Sequence, residues 1–285
     1  MSYLERAWCG LTWAPWVGFK SSRREWKTIP EAPGVYRVRP VGQSFLMYIG
    51  QTGRGLRERL GELRSNALAV VMPYDDPHTA APNLWAWKQE ENWEYESSAV
   101  PTNLPERDRK ALECYLLWQY RLERRESTLC NHGRFNEKYL KPSVRKKGRQ
   151  GRKLFPNEPP NLAGGPSHPP LCLEGDPLDR HWMTLDWGDT VPLTLEELGR
   201  TPHCQALYRI VDLTTKDILY LGQTKDLRNR LMSHRPRYKE KESIDFSYYR
   251  LPETIRSYQR LELENDLIGG YYAQVKRSPS DQFGR

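Results

Sequence analysis

The chain contains no apolar run approaching the roughly 20 residues that a membrane-spanning helix needs. Its mean hydropathy is low, at -0.81, and no membrane partner is expected. The amino terminus, Met1-Ser2-Tyr3-Leu4-Glu5-Arg6, lacks a basic stretch followed by an apolar one, so no secretory leader is expected either. Cysteine is scarce: Cys9, Cys114, Cys130, Cys172 and Cys204 are odd in number and far apart, which argues against a disulfide framework and for reduced thiols in the cytoplasm. No pair has Cys-x-x-Cys spacing, and adjacent His203-Cys204 is poor ligand geometry, so packing of small thiols is a better reading than structural zinc.

An excess of basic over acidic residues is also absent from most of the chain, despite a net charge of +8. Between Glu137 and Lys153 stand eight basic residues against one acidic, which leaves a net +1 for everything else. The excess therefore resembles a tether rather than a basic domain. It is either a solvated linker or a phosphate-binding run in which Lys146, Lys147, Arg149 and Arg152 are candidate nucleic-acid contacts. The stretch from Leu154 to Pro170 follows, dense in proline and with Gly164-Gly165 in its middle, a composition that resists helix and strand. The expected organisation is a domain over 1–140, a basic then Pro/Gly-rich linker over 141–175, and a second domain over 176–285. A chain of 285 residues is long enough for two such cores.

What the chain does contain, it contains twice. Gly34-Val35-Tyr36-Arg37-Val38, Tyr48-Ile49-Gly50-Gln51-Thr52 and Leu56-Arg57-Glu58-Arg59-Leu60 are followed by Glu113 and then by Asn131. Ala206-Leu207-Tyr208-Arg209-Ile210, Tyr220-Leu221-Gly222-Gln223-Thr224 and Leu227-Arg228-Asn229-Arg230-Leu231 are followed by Glu264 and, at the same distance from it, by Gln282. The interval from Tyr36 to Tyr48 equals that from Tyr208 to Tyr220. A repeat of this length is a duplicated domain rather than a solenoid unit.

The alternation over Gly34–Arg39 predicts a strand with Tyr36 and Val38 on one face, and Phe45–Ile49 a second strand behind a turn at 40–44. Leu56, Arg59, Leu60 and Leu63 fall at helical spacing, as do Leu227, Arg230, Leu231 and His234. An arginine within an apolar stripe needs an anionic partner. Glu113, Leu116, Leu117 and Tyr120 repeat the pattern with opposite charge, as do Glu264, Leu267, Ile268 and Tyr271. Each copy thus directs two tyrosines, an arginine and a glutamate to one place. The plain alternative is an Arg-Glu pair tying two helices, with the tyrosines as half-buried core.

This ordered set resembles the GIY-YIG nuclease superfamily, closely at Gly34-Val35-Tyr36 and Tyr48-Ile49-Gly50 and more loosely at Ala206-Leu207-Tyr208 and Tyr220-Leu221-Gly222. The resemblance covers roughly 33–136 and 205–285. It implies an α/β (α+β) chain of two domains, each a three-stranded antiparallel sheet flanked by helices. It also implies a metal-dependent DNA endonuclease, with RNA as an open alternative substrate. Carried over by motif, the catalytic residues are Tyr36, Tyr48, Arg59, Glu113 and Asn131 in the first copy, and Tyr208, Tyr220, Arg230, His234 and Glu264 in the second. Glu113 and Glu264 would hold Mg²⁺ or Mn²⁺. The histidine that some members carry four residues after the arginine is matched by His234, whereas the first copy has Leu63.

The chemistry suits these residue types. One divalent cation on a carboxylate can act as Lewis acid and stabilise the leaving group. A guanidinium matches two phosphate oxygens, and beside both a phenolate is favoured, so that Tyr36 could deprotonate water while Tyr48 orients it. Arg57, rotated about 200° from the stripe, and its counterpart Arg228 are expected to face solvent or a phosphate backbone. The stretch Met72–Trp85 reads as a rigid Pro-rich loop whose His78 could replace the missing histidine, and Trp85, Trp87 and Trp93 beside it could stack on bases or, more plainly, fill the core. Three arrangements follow: two cutting modules acting as a pseudodimer, a cutting first module with a scaffold second one, or a nucleic-acid binding protein without turnover.

Overall fold

The computed structural model describes residues 2–76, 79–239 and 243–284. Two compact units divide the chain: one comprises 1–109 and 119–167, the other 110–118 and 168–285. Both are mixed α and β with an antiparallel sheet.

In the first unit the principal elements are β1 (Val17–Gly18), β2 (Gly34–Pro40), β3 (Tyr48–Thr52), α1 (Leu56–Ala67), α2 (Ala81–Glu91), β4 (Tyr95–Pro101) and the long helix α3 (Glu106–Arg124), whose middle, 110–118, belongs to the second unit. The sheet order is β3-β2-β4-β1. Helix α1 buries Leu56, Leu60, Leu63 and Ala67 in a core with Tyr36, Val38, Met47 and Tyr95, as the apolar spacing requires.

The second unit repeats that order with β5 (Val191–Pro192), β6 (Ala206–Asp212), β7 (Asp217–Thr224), α4 (Leu227–His234), β8 (Ile244–Arg250) and α5 (Ser257–Val275), its sheet running β7-β6-β8-β5. Helix α5 is buried on nearly all sides. A Cβ on its Gly269 would lie 2.8 Å from both the Cys114 carbonyl and the Trp118 Cβ, so this contact requires glycine.

Four expectations change. Each sheet has a fourth, short edge strand, too brief for periodicity to reveal. The second hairpin strand of the first copy begins at Tyr48 rather than Phe45. The Pro-rich stretch before Trp85 opens into a helix, because Pro82 stands in the first turn, where its missing N–H is not needed.

The supposed linker is folded. Its residues 141–167 belong to the first unit and 168–175 to the second. Leu140 and Arg152 pair across a short hairpin. Lys138 and Lys153 both reach Glu90, whose carboxyl is held down at about 2 by Lys153 first, with Lys138 and Tyr139 assisting. Arg134 donates to the Gly165 carbonyl at 2.6 Å. In the second unit the buried carboxylates of Glu262 and Asp266 accept the N–H groups of His168 and Leu171 at 2.8 and 3.0 Å. Proline removes donors but leaves carbonyls and neighbouring N–H groups for such bonds.

Candidate active site

In the second unit the register sets Tyr208 opposite Gly222, and Ile210 opposite Tyr220. A Cβ on Gly222 would lie 2.4 Å from the Tyr208 hydroxyl, so the glycine of the second tripeptide is the space into which the first tyrosine folds. The two rings stack with centroids 6.0 Å apart at 14°. Helix α4 then supplies Arg230 and His234, one turn apart and on one face. Arg230 Nε donates to the Tyr208 hydroxyl at 3.0 Å and its Nη2 to the Tyr220 hydroxyl at 3.3 Å. The Tyr208 hydroxyl lies 3.0 Å from His234 Nε2. The tautomer sets the direction of this bond: with the proton on Nε2 the imidazole donates to the Tyr208 oxygen and Nδ1 is left to accept.

Glu264 enters from α5. Among the described residues its carboxylate accepts one hydrogen bond, from the Gln223 N–H at 3.3 Å. Tyr220, Arg230, His234, Glu264 and Gln282 line a common cleft of about 460 Å³. Burial dominates its electrostatics. It pushes the Glu264 carboxyl up to about 7 against the opposing pull of the Gln223 N–H and Arg230. It pushes His234 down to about 4, with Arg230 and Arg237 adding to the effect, and it raises the Tyr208 phenol well above its ordinary range. A resting phenolate at Tyr208 is therefore disfavoured, and the neutral imidazole is the available proton acceptor.

The first unit holds a partial counterpart. Tyr36 faces Gly50 and Tyr48 faces Val38, which puts both tyrosines on one side of the sheet with ring centroids 6.0 Å apart. Arg59 Nε donates to the Tyr36 hydroxyl at 3.3 Å. Leu63, buried, stands in the position of His234. Glu113 lies within 110–118 and so in the second unit. There its neighbour Cys114 has its thiol raised by burial and by the charges of Glu113, Glu264 and Asp266. His78 lies outside the described residues.

Other expected site residues serve the framework. Asn131 accepts from the Ile49 N–H at 3.0 Å and donates to the Ile49 carbonyl at 2.9 Å, clamping β3 from behind. Gln282 accepts from the Leu221 N–H at 3.0 Å in the same manner. Asn131 is thus a buried backbone latch. Arg57 is not a free phosphate contact: it binds the carbonyls of Ile29 and Lys27 and the carboxylate of Glu31. Arg228 likewise binds the Thr201 carbonyl at 2.6 Å. Arg152 is held by Glu158 through two bonds of 2.6 Å, whereas Lys146, Lys147 and Arg149 are exposed. Trp87 and Trp93 stack on each other against the first core, and Trp85 donates to the Ala69 carbonyl, so these rings are packing residues.

Two repeated features escaped the sequence reading. Trp8-Cys9-Gly10-Leu11-Thr12-Trp13 and Trp182-Met183-Thr184-Leu185-Asp186-Trp187 share a backbone turn, with positive φ at Cys9 and Gly10 and at Met183 and Thr184. In each, the second indole donates to the carbonyl of the first tryptophan. Each also covers a buried arginine, Arg37 with its guanidinium 4.3 Å from the Trp13 ring and Arg209 with its own 4.7 Å from that of Trp187. The recurring Trp-x-x-Leu-x-Trp spacing was the signal that could have found it. Arg109 and Arg260, each four residues before a glutamate, donate to Gln51 and Gln223 at 2.9 and 3.0 Å.

Comparison with family models, curated proteins and solved structures finds no match. A divalent cation has to be judged on the donors alone. Among the described residues no three His, Cys, Asp or Glu group as a metal cage. The cleft instead offers one carboxylate with few hydrogen bonds and room for coordinated water. That donor set fits a largely hydrated Mg²⁺ or Mn²⁺, an ion that keeps most of its waters.

Proposed function

We propose that the chain is a metal-dependent endonuclease of the GIY-YIG type that hydrolyses DNA phosphodiesters, and that the cleft of the second unit does the cutting. The convergence of Tyr220, Arg230, His234 and Glu264 on that cleft carries the reading. The cutting is thereby assigned to the copy whose tripeptides match the superfamily more loosely; the first copy has Leu63 in the position of His234.

In the proposed reaction water forms a new bond to phosphorus and the bond to the leaving sugar oxygen breaks. A cation on ionised Glu264 would supply Lewis acidity and charge neutralisation at that oxygen. Arg230 and Tyr220 hold the phosphate, with the guanidinium facing two of its oxygens. His234, in the tautomer with its proton on Nε2 towards the Tyr208 oxygen, takes the proton of the attacking water at Nδ1. It is a weak base while burial and two arginines depress it, and the anionic phosphate strengthens it by offsetting those cations. Tyr208, hydrogen-bonded between Arg230 and His234, holds both in place.

The test is conversion of supercoiled plasmid to nicked or linear forms, with and without Mg²⁺, with a structured RNA run in parallel. Glu264→Gln and His234→Gln should each reduce the Mg²⁺-dependent rate by at least about a hundredfold, and Glu113→Gln should leave it within a fewfold of the parent. Cleavage that disappears with Glu113→Gln but survives Glu264→Gln would assign the chemistry to the other copy. Absence of cleavage by the parent protein, with binding retained, would make the chain a binding protein.

A further inference from the structure

The two copies differ where the second tripeptide strand enters its helix. The second copy reads Thr224-Lys225-Asp226-Leu227, and Asp226 caps the helix by accepting from the Asn229 N–H. The first reads Thr52-Gly53-Arg54-Gly55-Leu56, one residue longer, with Gly55 at the cap in place of the acid and Arg54 just before it. The added glycine has a steric purpose, because a Cβ on Gly53 would lie 2.8 Å from Arg109 Nη2. The result is a cleft of about 320 Å³ in the first unit that brings Arg54, Arg59 and Arg109 together.

The fork of Arg109, nearly buried, is aimed by its bonds to the Gln51 side chain at 2.9 Å and to the Leu104 carbonyl at 3.1 Å. Arg59 is fixed by the Tyr36 hydroxyl. Arg54, about half exposed, forms ion pairs with Glu58 at 2.8 Å and Glu62 at 2.7 Å on the flank of α1. Such exposed pairs are weak and exchangeable. Glu106 is the one carboxylate among the residues lining the cleft; Glu58 and Glu62, outside that lining, are paired with Arg54.

We propose that this cleft is a phosphate-binding site of the first unit that grips the backbone of a nucleic-acid strand without cutting it. A phosphodiester oxygen pair fits the forked, pre-aimed guanidinium of Arg109, and Arg54 turns from Glu58 and Glu62 to close over it. The identity of the strand rests on the nuclease reading; the three-arginine geometry does not.

The experiment measures equilibrium binding of a fluorescent duplex oligonucleotide, and of the single strand, to full-length protein carrying Glu264→Gln, across a salt series. Against that background Arg54→Gln should weaken binding about five- to tenfold and flatten the slope of log K on log salt by about 0.9 for the duplex or 0.7 for the single strand. Glu106→Gln should tighten binding. Arg24→Gln, which removes the same charge from an exposed position outside the cleft, should do neither. Because Arg109→Gln endangers folding, Arg109→Lys is the second variant. It keeps the charge, loses the fork, and should weaken binding with an unchanged thermal midpoint. Equal effects of Arg54→Gln and Arg24→Gln would overturn the site while leaving the plasmid result for Glu264 standing. Inorganic phosphate is the competing source of the same chemistry. If it protects the protein thermally through Arg54 while oligonucleotide binding ignores that residue, the nucleic-acid assignment falls.

Discussion

Glu264 offers the sharpest physical test, because its environment opposes the charge that the proposed chemistry needs. Its carboxyl rises from an ordinary 4.5 to about 7, chiefly through burial. At about 1.4 kcal/mol per pH unit, the metal-free protein loses about 3 kcal/mol of stability as this group ionises. The sign follows from the direction: a raised carboxyl contributes stability that is fully present below 4.5 and is lost as pH rises through 7. Glu264→Gln keeps the shape and cannot ionise. The metal-free variant should therefore match the parent near pH 4 and exceed it by about 3 kcal/mol near pH 9, on the order of 10 °C in the midpoint of the second unit. Mg²⁺ should reverse the order for the parent alone, since only the ionised carboxylate holds the ion. Its apparent affinity should rise about tenfold per pH unit up to 7 and then level off, with one proton released per ion bound below that pH. Thermal unfolding of parent and variant in chelator and in Mg²⁺, at pH 4, 6, 8 and 9, reads all of this. A stability difference that does not vary with pH would refute the buried-carboxylate argument.

Gly222→Ala places a methyl group 2.4 Å from the Tyr208 hydroxyl; it should destabilise the second unit by about 1–3 kcal/mol through overpacking and cut plasmid cleavage, as read by thermal unfolding and nicking rate together. Asn131→Ala leaves the Ile49 N–H and carbonyl without their buried partners and should lower first-unit stability by about 2–4 kcal/mol, with the nicking rate at saturating plasmid unchanged. A loss of turnover at unchanged stability would give Asn131 a catalytic role.

Much of the site was legible because its residues violate local expectations. An arginine on an apolar helical stripe and a glutamate at the same spacing on a later helix mark positions where burial needs a partner, and Arg230 and Glu264 do line one cleft. The tyrosine pairing was not legible from parity, since a turn intervenes; it depends on register, with Gly50 and Gly222 making room. The fold of residues 141–175 was hidden because composition records propensity and not partners. Nothing near Lys153 in sequence announces Glu90, and nothing near Leu171 announces Asp266. Arg57 looked exposed by helical phase, but phase gives a direction only, and the preceding loop at Lys27–Glu31 lies along it.

The duplication separates what the framework needs from what the chemistry needs. Both copies keep the tyrosine pair, the glycine beneath it and the arginine on the first hydroxyl. Both keep a buried arginine under a tryptophan turn on the opposite face of the same strand. Residues shared by a copy with a histidine and a copy without one are therefore weak markers of catalysis; they close a small core around an arginine that has to be satisfied. The discriminating positions are those that diverged. His234 against Leu63 decides whether a proton acceptor stands beside the paired phenols. Asp226 against Gly55 decides whether the helix entrance carries a capping carboxylate, and in the first copy Arg54 beside that glycine lines a cleft. Leucine in place of the histidine removes a proton acceptor, and glycine in place of the capping acid removes a carboxylate from beside Arg54; on the proposed reading these two substitutions predict how labour is divided between the units.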